Sequence, residues 1–596
     1  GAIPSHPCMI LSGKLDASAP ASGDGGFIET SGHKVSIDED TIITTHSVYG
    51  DSGNWLLDPV DYLIAASDGD ATGAFVANSL ASNNVSILAS NDITINDAIN
   101  TSGSSGGTLT FQAGKSININ ADITTANGDA YFYANEEISS GVVDADRSSG
   151  AGSILMDTSK TINAGTGDIT IETKNGTSKT YNTAGNTTLG ALTGNNIKVK
   201  NYSPSGGNTV TYSGAVNASG TFEQYNYYGA SSTTNINADF NVAGSTTTFN
   251  HGGDININAD ITNTNAKGQI TLTSGNNNLI DIAAGVDIDA SAGDIVSFQT
   301  NRINIDSTAD IKGGTRVHFA NYGNLKNILI GGADDAANGS RLGLTLTKLA
   351  RVDTPVLGMG IWSSGSSGPG YVTIDGALNR SGTIYLVLSG SGVISTSASG
   401  SITASKLFLN AFDGQVNIDN SSGHVSTIAA IAPSGRFSYS QPANFSVGSV
   451  SIGGKPETIL AGINSLFPGR GQVTLTSTEG DISIDNVIST SSLTTSTPSG
   501  SVNLNGSVAL ITDGSAFVGT NGMLDLGGGG SYRTVYSDGW SSKESVTIKP
   551  KTDTVIRSQN FYEGDDSILL AFQQESQDRV IEVEQKLSTI ETNKAL

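Results

Sequence analysis

The chain has 596 residues, with 30 Lys plus Arg against 55 Asp plus Glu and a formal charge of −25. So acidic a surface repels nucleic acid and anionic lipid, which argues against a phosphate-binding role, and no run of about eighteen apolar residues offers a membrane span. Charged residues are only 14% of the chain, Gly fills 74 positions, and the 37% of apolar residues recur in register, a pattern of a β-rich extracellular protein rather than a disordered one.

The one cysteine, Cys8, has no partner for an internal disulfide or a metal site. With neither an initiator Met nor a signal peptide at Gly1, the sequence reads as a processed or truncated piece of a longer protein. The first region, residues 1–64, holds a strand and turn at Gly13-Lys14-Leu15-Asp16-Ala17-Ser18 and then two motifs. Gly25-Gly26-Phe27-Ile28-Glu29-Thr30-Ser31-Gly32 is a glycine turn, a short strand of alternating polarity and a second glycine. Gly53-Asn54-Trp55-Leu56-Leu57-Asp58-Pro59 is a glycine followed by an apolar strand stopped by Asp-Pro.

This pair of motifs resembles the junction in two-partner-secretion exoproteins, the β-helical adhesins of the filamentous haemagglutinin type, where the secretion domain gives way to a long rod. The Gly13 to Ser18 stretch is similar to the segment that closes the last coil before that junction. The resemblance implies that the sequence starts near the end of a secretion domain. It also implies an outer-membrane transporter as partner during secretion, and an extracellular or bacterial cell-surface location. Gly25 to Gly32 and Trp55 to Pro59 would then be structural.

Residues 65–339 read as a regular rod. Val85-Ser86-Ile87, Ile93-Thr94-Ile95 and Ile99 are followed, 24 residues on, by Leu109-Thr110-Phe111, Ile117-Asn118-Ile119 and Ile123. Tyr131-Phe132-Tyr133 and Ile138 extend the series at a spacing of 21 from Ile117. Ser116 to Thr124 recurs almost unchanged as Asp254 to Thr262. Short strands repeating every 20 to 25 residues predict a right-handed parallel β-helix. No single strand here is long enough to hold a hairpin sandwich together. Stacking lays Ile over Ile and predicts a dry apolar interior with Asn ladders at the turns. At about 22 residues per coil the whole rod needs some 24 coils.

Residues 340–390 are less regular, and Leu344 to Arg351 reads equally as a helical turn or a strand. Regular coils resume over 391–526. Residues 527–596 form a cap or assembly region with a helix at about 566–594. In that helix Val580, Val583, Leu587 and Ile590 make an apolar stripe at 3-4-3 spacing. The stripe either folds over the chain's own last coil or contacts another copy, giving head-to-tail filaments.

For chemistry, the six histidines show no metal-ligand spacing, and no zinc or phosphate-loop motif occurs. No catalytic residue, metal or cofactor is therefore assigned. Asp68, Asp70, Asp281, Asp287 and Asp289 sit beside Gly or alternate with Ile, as solvent-facing turn and strand residues do. Tyr131, Tyr133, Tyr225, Tyr227 and Tyr228 stand out as candidate glycan-stacking residues, with packing between coils as the alternative. Asn84, Asn186, Asn217 and Asn444 head Asn-x-Ser/Thr triplets. The sequence thus points to a non-enzymatic rod-like adhesin or filament subunit that contacts glycans or proteins on host or neighbouring cells. A carbohydrate-active β-helix enzyme and a ligand-capture exoprotein stay open as alternatives.

Overall fold

A strand of two or three inward apolar residues buries too little to stand alone, so each must find its neighbours one coil away. In the computed structural model the described residues run from 8 to 496 with short internal stretches left out, and then comprise four short strands up to residue 536. They form a β-solenoid of about 16 turns, built mostly from parallel strands. The described residues divide into two compact units, those within Gly1–Phe408 and Ser451–Ile459, and those within Leu409–Val450 and Leu460–Leu596.

In the first unit each regular coil lays down one strand on each of three sheets. The central sheet carries, among others, Asn84–Ala89, Leu109–Ala113, Ala130–Ala134, Ile169–Thr173, Ile197–Tyr202 and Phe222–Tyr227. A second sheet of ten strands runs from Tyr62–Ile64 to Arg302–Ile305, and a third of ten from Ile99–Asn100 to Val352–Asp353. The register is the one the 24-residue spacing predicts: Phe111 over Ile87, Ile117 over Ile93, Ile123 over Ile99. All these inward residues are fully buried. The repeated stretch proves to be the same sheet position five coils apart, through Ile117, Ile154, Thr187, Val210, Thr234 and Ile255. Asn ladders run outside, with Asn120 donating to Asn96 at 2.9 Å, Asn241 to Asn217 at 3.1 Å and Asn258 to Asn237 at 2.8 Å.

In the second unit, Gln415–Asp419, Arg436–Gln441, Gln472–Ser477 and Ser492–Ser496 stack in parallel. Phe445–Val447, Ile482–Ile484 and Val502–Leu504 form a second column. The Val580, Val583, Leu587 and Ile590 stripe and its helix lie outside the described residues.

Several expectations need correction. The described residues make about 16 coils, fewer than a length of about 22 residues per coil would give, because many coils are longer than that. Ala130 pairs with Ile169, 39 residues away, whereas Leu109 pairs with Ala130 after 21. Ile138 does not stack on Ile117; it is half exposed in a 3-10 turn, Ile138–Ser140, and Ile154 takes its place. The intervening residues, from Glu137 to Ala151, are an insertion between two strands of consecutive sheets. A helix, Gly73–Leu80, was not expected; Thr72 caps it by accepting the Phe75 amide at 3.2 Å. The open choice at Leu344 to Arg351 resolves as a short helix, Leu346–Leu349, capped by Thr345.

The interior is also less uniform than the Ile columns imply. Tyr212, Phe222, Phe240 and Phe249 form an edge-to-face cluster with ring centroids 4.9 to 6.5 Å apart. Beside it runs a buried polar chain. The Tyr212 hydroxyl donates to Gln224 at 2.9 Å, the Gln224 amide to Thr234 at 2.6 Å, and Thr234 meets His251 Nδ1 at 3.3 Å. These residues sit at inward positions of short strands, so each must hydrogen-bond inside.

Two predictions follow from which residues point inward. Ile117→Ala should cost about 3 kcal/mol in urea unfolding and Ile117→Asp should abolish folding, whereas Asn118→Ser stays within about 0.5 kcal/mol. Equal effects at the two positions would overturn the inward and outward assignment. The second concerns pH. Burial pulls the His251 pKa down to about 4 and that of His318 to about 3, the latter helped by the Arg316 charge. The unfolded imidazoles take up protons near pH 6.5 and the folded ones do not. Stability is therefore full above pH 6.5 and declines as pH falls towards 4, by roughly 3 kcal/mol for His251 alone. His251→Gln should flatten that slope, measured by thermal unfolding from pH 7 to pH 4.

Candidate functional site

The two sequence motifs meet as neighbouring strands of the central sheet. Phe27–Ser31 pairs with Asn54–Asp58, setting Ile28 beside Trp55 and Thr30 beside Leu57. Trp55 and Leu57 are fully buried. The Trp55 indole donates to the Thr30 hydroxyl at 3.2 Å, and that hydroxyl donates to the Leu56 carbonyl at 3.2 Å. The Trp55 ring meets Phe75 of the helix edge-on at 5.9 Å. Gly53 is needed because a Cβ there would lie 1.9 Å from the Gly26 carbonyl oxygen. Phe27, Glu29 and Ser31 face out, and the Ser31 hydroxyl donates to Glu29 at 2.6 Å. Burial, and then the Glu29 charge, raise the Asp58 pKa. Pro59 is buried, and its carbonyl accepts the Ser90 amide of a later coil. These residues build a junction between coils.

Three of the candidate tyrosines share the outer face of the central sheet. Tyr131 and Tyr133 flank the buried Phe132, with their ring centroids 6.3 Å apart. In one outward column the register runs Gln112, Tyr133, Glu172, Lys200, Tyr225, Asn250. The parallel column runs Thr110, Tyr131, Thr170, Lys198, Glu223, Thr248. Tyr133 and Tyr225 are thus three coils apart, roughly 14 Å at the strand spacing. Lys174 lies over the Tyr133 ring at 5.0 Å and Lys198 over the Tyr225 ring at 5.9 Å. The side chain of Tyr227 and the whole of Tyr228 lie outside the described residues.

The charges on this strip neutralise one another. Lys200 pairs with Glu172 at 3.4 Å, Lys198 with Glu223 at 3.6 Å and Lys174 with Glu136 at 2.6 Å. Glu136 is buried; burial alone would raise its pKa, but Lys174, Ser140 and Gln112 outweigh it and hold the carboxyl below its usual value. Sequence reasoning missed these lysines and glutamates. Their alignment with the tyrosines depends on offsets of 39 and 28 residues, which a 24-residue repeat does not supply.

The Asp and Asn residues at the turns have a common task. A side-chain oxygen in one coil accepts the backbone amide of the next, as Asp61 does for Asp92 and Asp92 for Ser116. Asp129 accepts the Asp168 amide at 2.8 Å, and Asp168 accepts the Asn196 amide at 3.0 Å. Asn84 and Asn186, two of the triplet asparagines, do the same for Thr108 and Thr209, and Asn217 joins an Asn ladder. Asp70 is not solvent-facing as expected: it is buried, accepting the Leu63 amide at 2.9 Å with Lys34 at 3.6 Å. Asp68 sits in a turn with φ of 56°. Asp281 accepts from Asn304, Asp287 pairs with Lys312 at 3.1 Å and Asp289 accepts the Ser291 amide. Among the described residues no three His, Cys, Asp or Glu side chains form a group suited to a metal ion.

No protein-family model matches the chain, and no curated protein matches it. The class of protein defined by the geometry is a parallel β-solenoid with a charge-balanced aromatic strip on one sheet.

Asp168 tests the turn ladder, because its Oδ1 accepts from the Asn196 amide and from the side chains of Asn195 and Asn196. Asp168→Ala should cost about 1–2 kcal/mol and speed hydrogen exchange at the Asn196 amide, whereas Asp168→Asn keeps an acceptor oxygen and most of the protection. Unchanged exchange in the Ala variant would remove the ladder's structural role.

Proposed function

We propose that the chain is a secreted structural surface protein of the two-partner-secretion exoprotein type, acting as a rod-like adhesin or a subunit of an extracellular filament. The observation that carries this reading is the junction of the two motifs, adjacent strands locked by the Trp55–Thr30 hydrogen bond at the foot of a solenoid. An outer-membrane transporter serves as partner during secretion, and the mature protein stays extracellular or on the bacterial surface. It meets glycans or proteins of host or neighbouring cells, and further copies of itself. The paired charges and tyrosines of the outer strip suit many weak contacts spread over several coils, which gain strength by avidity. The Asp residues of the turns are engaged with backbone amides, which favours a scaffold over a carbohydrate-active enzyme.

Beads coated densely with the chain should be retained on cell layers at least about tenfold better than beads coated sparsely, the mark of avidity. Combined Tyr131→Ser, Tyr133→Ser and Tyr225→Ser changes should reduce retention without lowering thermal stability by more than a few degrees. Dense beads that fail to bind either bacterial or epithelial layers would refute adhesion. Electron microscopy showing only single particles at high concentration would refute the filament.

A further inference from the structure

A cavity of about 260 Å³ opens where the strand Val352–Asp353 turns into Val356–Ile361, beside the turn that follows Ala377–Asn379. Its polar wall is made by Asp353, Thr354, Asn379, Arg380, Ser381 and Thr383. The volume lies below the range that accommodates drug-sized ligands, so the site takes something no larger than a single sugar ring.

Arg380 sets the chemistry. Its backbone amide donates to the Thr403 carbonyl at 2.8 Å, and its Nη2 donates to the Val352 carbonyl at 2.7 Å. Among the described residues no carboxylate lies within ion-pair distance of its guanidinium, unlike nearby Lys348 and Arg351, which pair with Asp334 and Asp310. Burial draws its pKa below the usual value, although the Asp353 charge acts in the opposite sense. A half-buried guanidinium with one carbonyl partner keeps most of its N–H donors for a ligand, and their planar fork matches a carboxylate. Asp353, on the same wall, repels a compact anion and accepts from hydroxyl groups. Together the two ask for a molecule with a carboxylate at one end and hydroxyls at the other.

We propose that this cavity binds an acidic sugar residue, the Arg380 guanidinium holding its carboxylate and Asp353 accepting a ring hydroxyl. The site is independent of the adhesin reading and stands whether or not the outer strip binds cells.

The purified full chain is titrated with sodium glucuronate, with glucose and with sodium sulfate, and binding is followed by saturation-transfer NMR and calorimetry. Glucuronate should bind at least about tenfold more tightly than glucose or sulfate, the discrimination of a charge-assisted fork. Arg380→Lys should weaken glucuronate about tenfold or more, since a point charge replaces the fork. Asp353→Asn should weaken glucuronate and strengthen sulfate. Ser381→Trp, which fills the cavity mouth and leaves Arg380 in place, should abolish binding with thermal stability unchanged. It decides the matter if the Arg380 variant is destabilised. Glucuronate binding no tighter than glucose, sulfate binding as tight as glucuronate, or glucuronate affinity unaltered by Ser381→Trp would each overturn the proposal.

Discussion

Everything in this molecule depends on the hydrogen bond from one coil to the next. A regular coil's strand has only two or three inward side chains, and its backbone amides find their ladder partners in the coils above and below. Where the strand ends and the backbone bends, the ladder is interrupted, and there an Asp or Asn side chain supplies the acceptor that the next amide needs. The acidity of the chain follows from this division of labour. Many of its carboxylates act as backbone partners placed at corners, so a high negative charge coexists with a structure that few lysines help to neutralise.

The same constraint explains which features were legible in the sequence. Where two coils have equal length, alternation and offset together determine register, as for Val85 with Leu109 and Ile93 with Ile117. Where an insertion intervenes, the offset changes while the local pattern does not. Ile138 carried the right periodicity and the wrong neighbour, because the residues from Glu137 to Ala151 lie outside the stack and pass the register on to Ile154. The Gly73–Leu80 helix was hidden for a different reason: eight residues are too few to show a helical period, and its signal was the single cap at Thr72. The polar chain from Tyr212 to His251 was illegible because its members satisfy one another across coils, and no stretch of sequence holds both partners.

The candidate site was half legible. Tyr131, Tyr133 and Tyr225 were visible as aromatic residues in an aromatic-poor chain, and alternation alone places them opposite Phe132 and Phe222. That they share a face with three lysines and three glutamates was not visible, since this needs the unequal offsets of three coils. Nor was the interruption further along the sheet. There Gly358 separates His318 from Tyr385 in register, and the missing side chain lets the two rings approach to 6.0 Å; a Cβ would fall 2.3 Å from His318 Nδ1. The outer face is therefore open and charge-balanced at one stretch and buried at another, although its strands follow a single grammar.

The near-identical stretches around Ile117 and Ile255 occupy one sheet position five coils apart. Recombination between their coding sequences would delete or duplicate five complete coils, leaving every inward residue over an inward residue and every turn at its corner. The fold is in this sense indifferent to its own length.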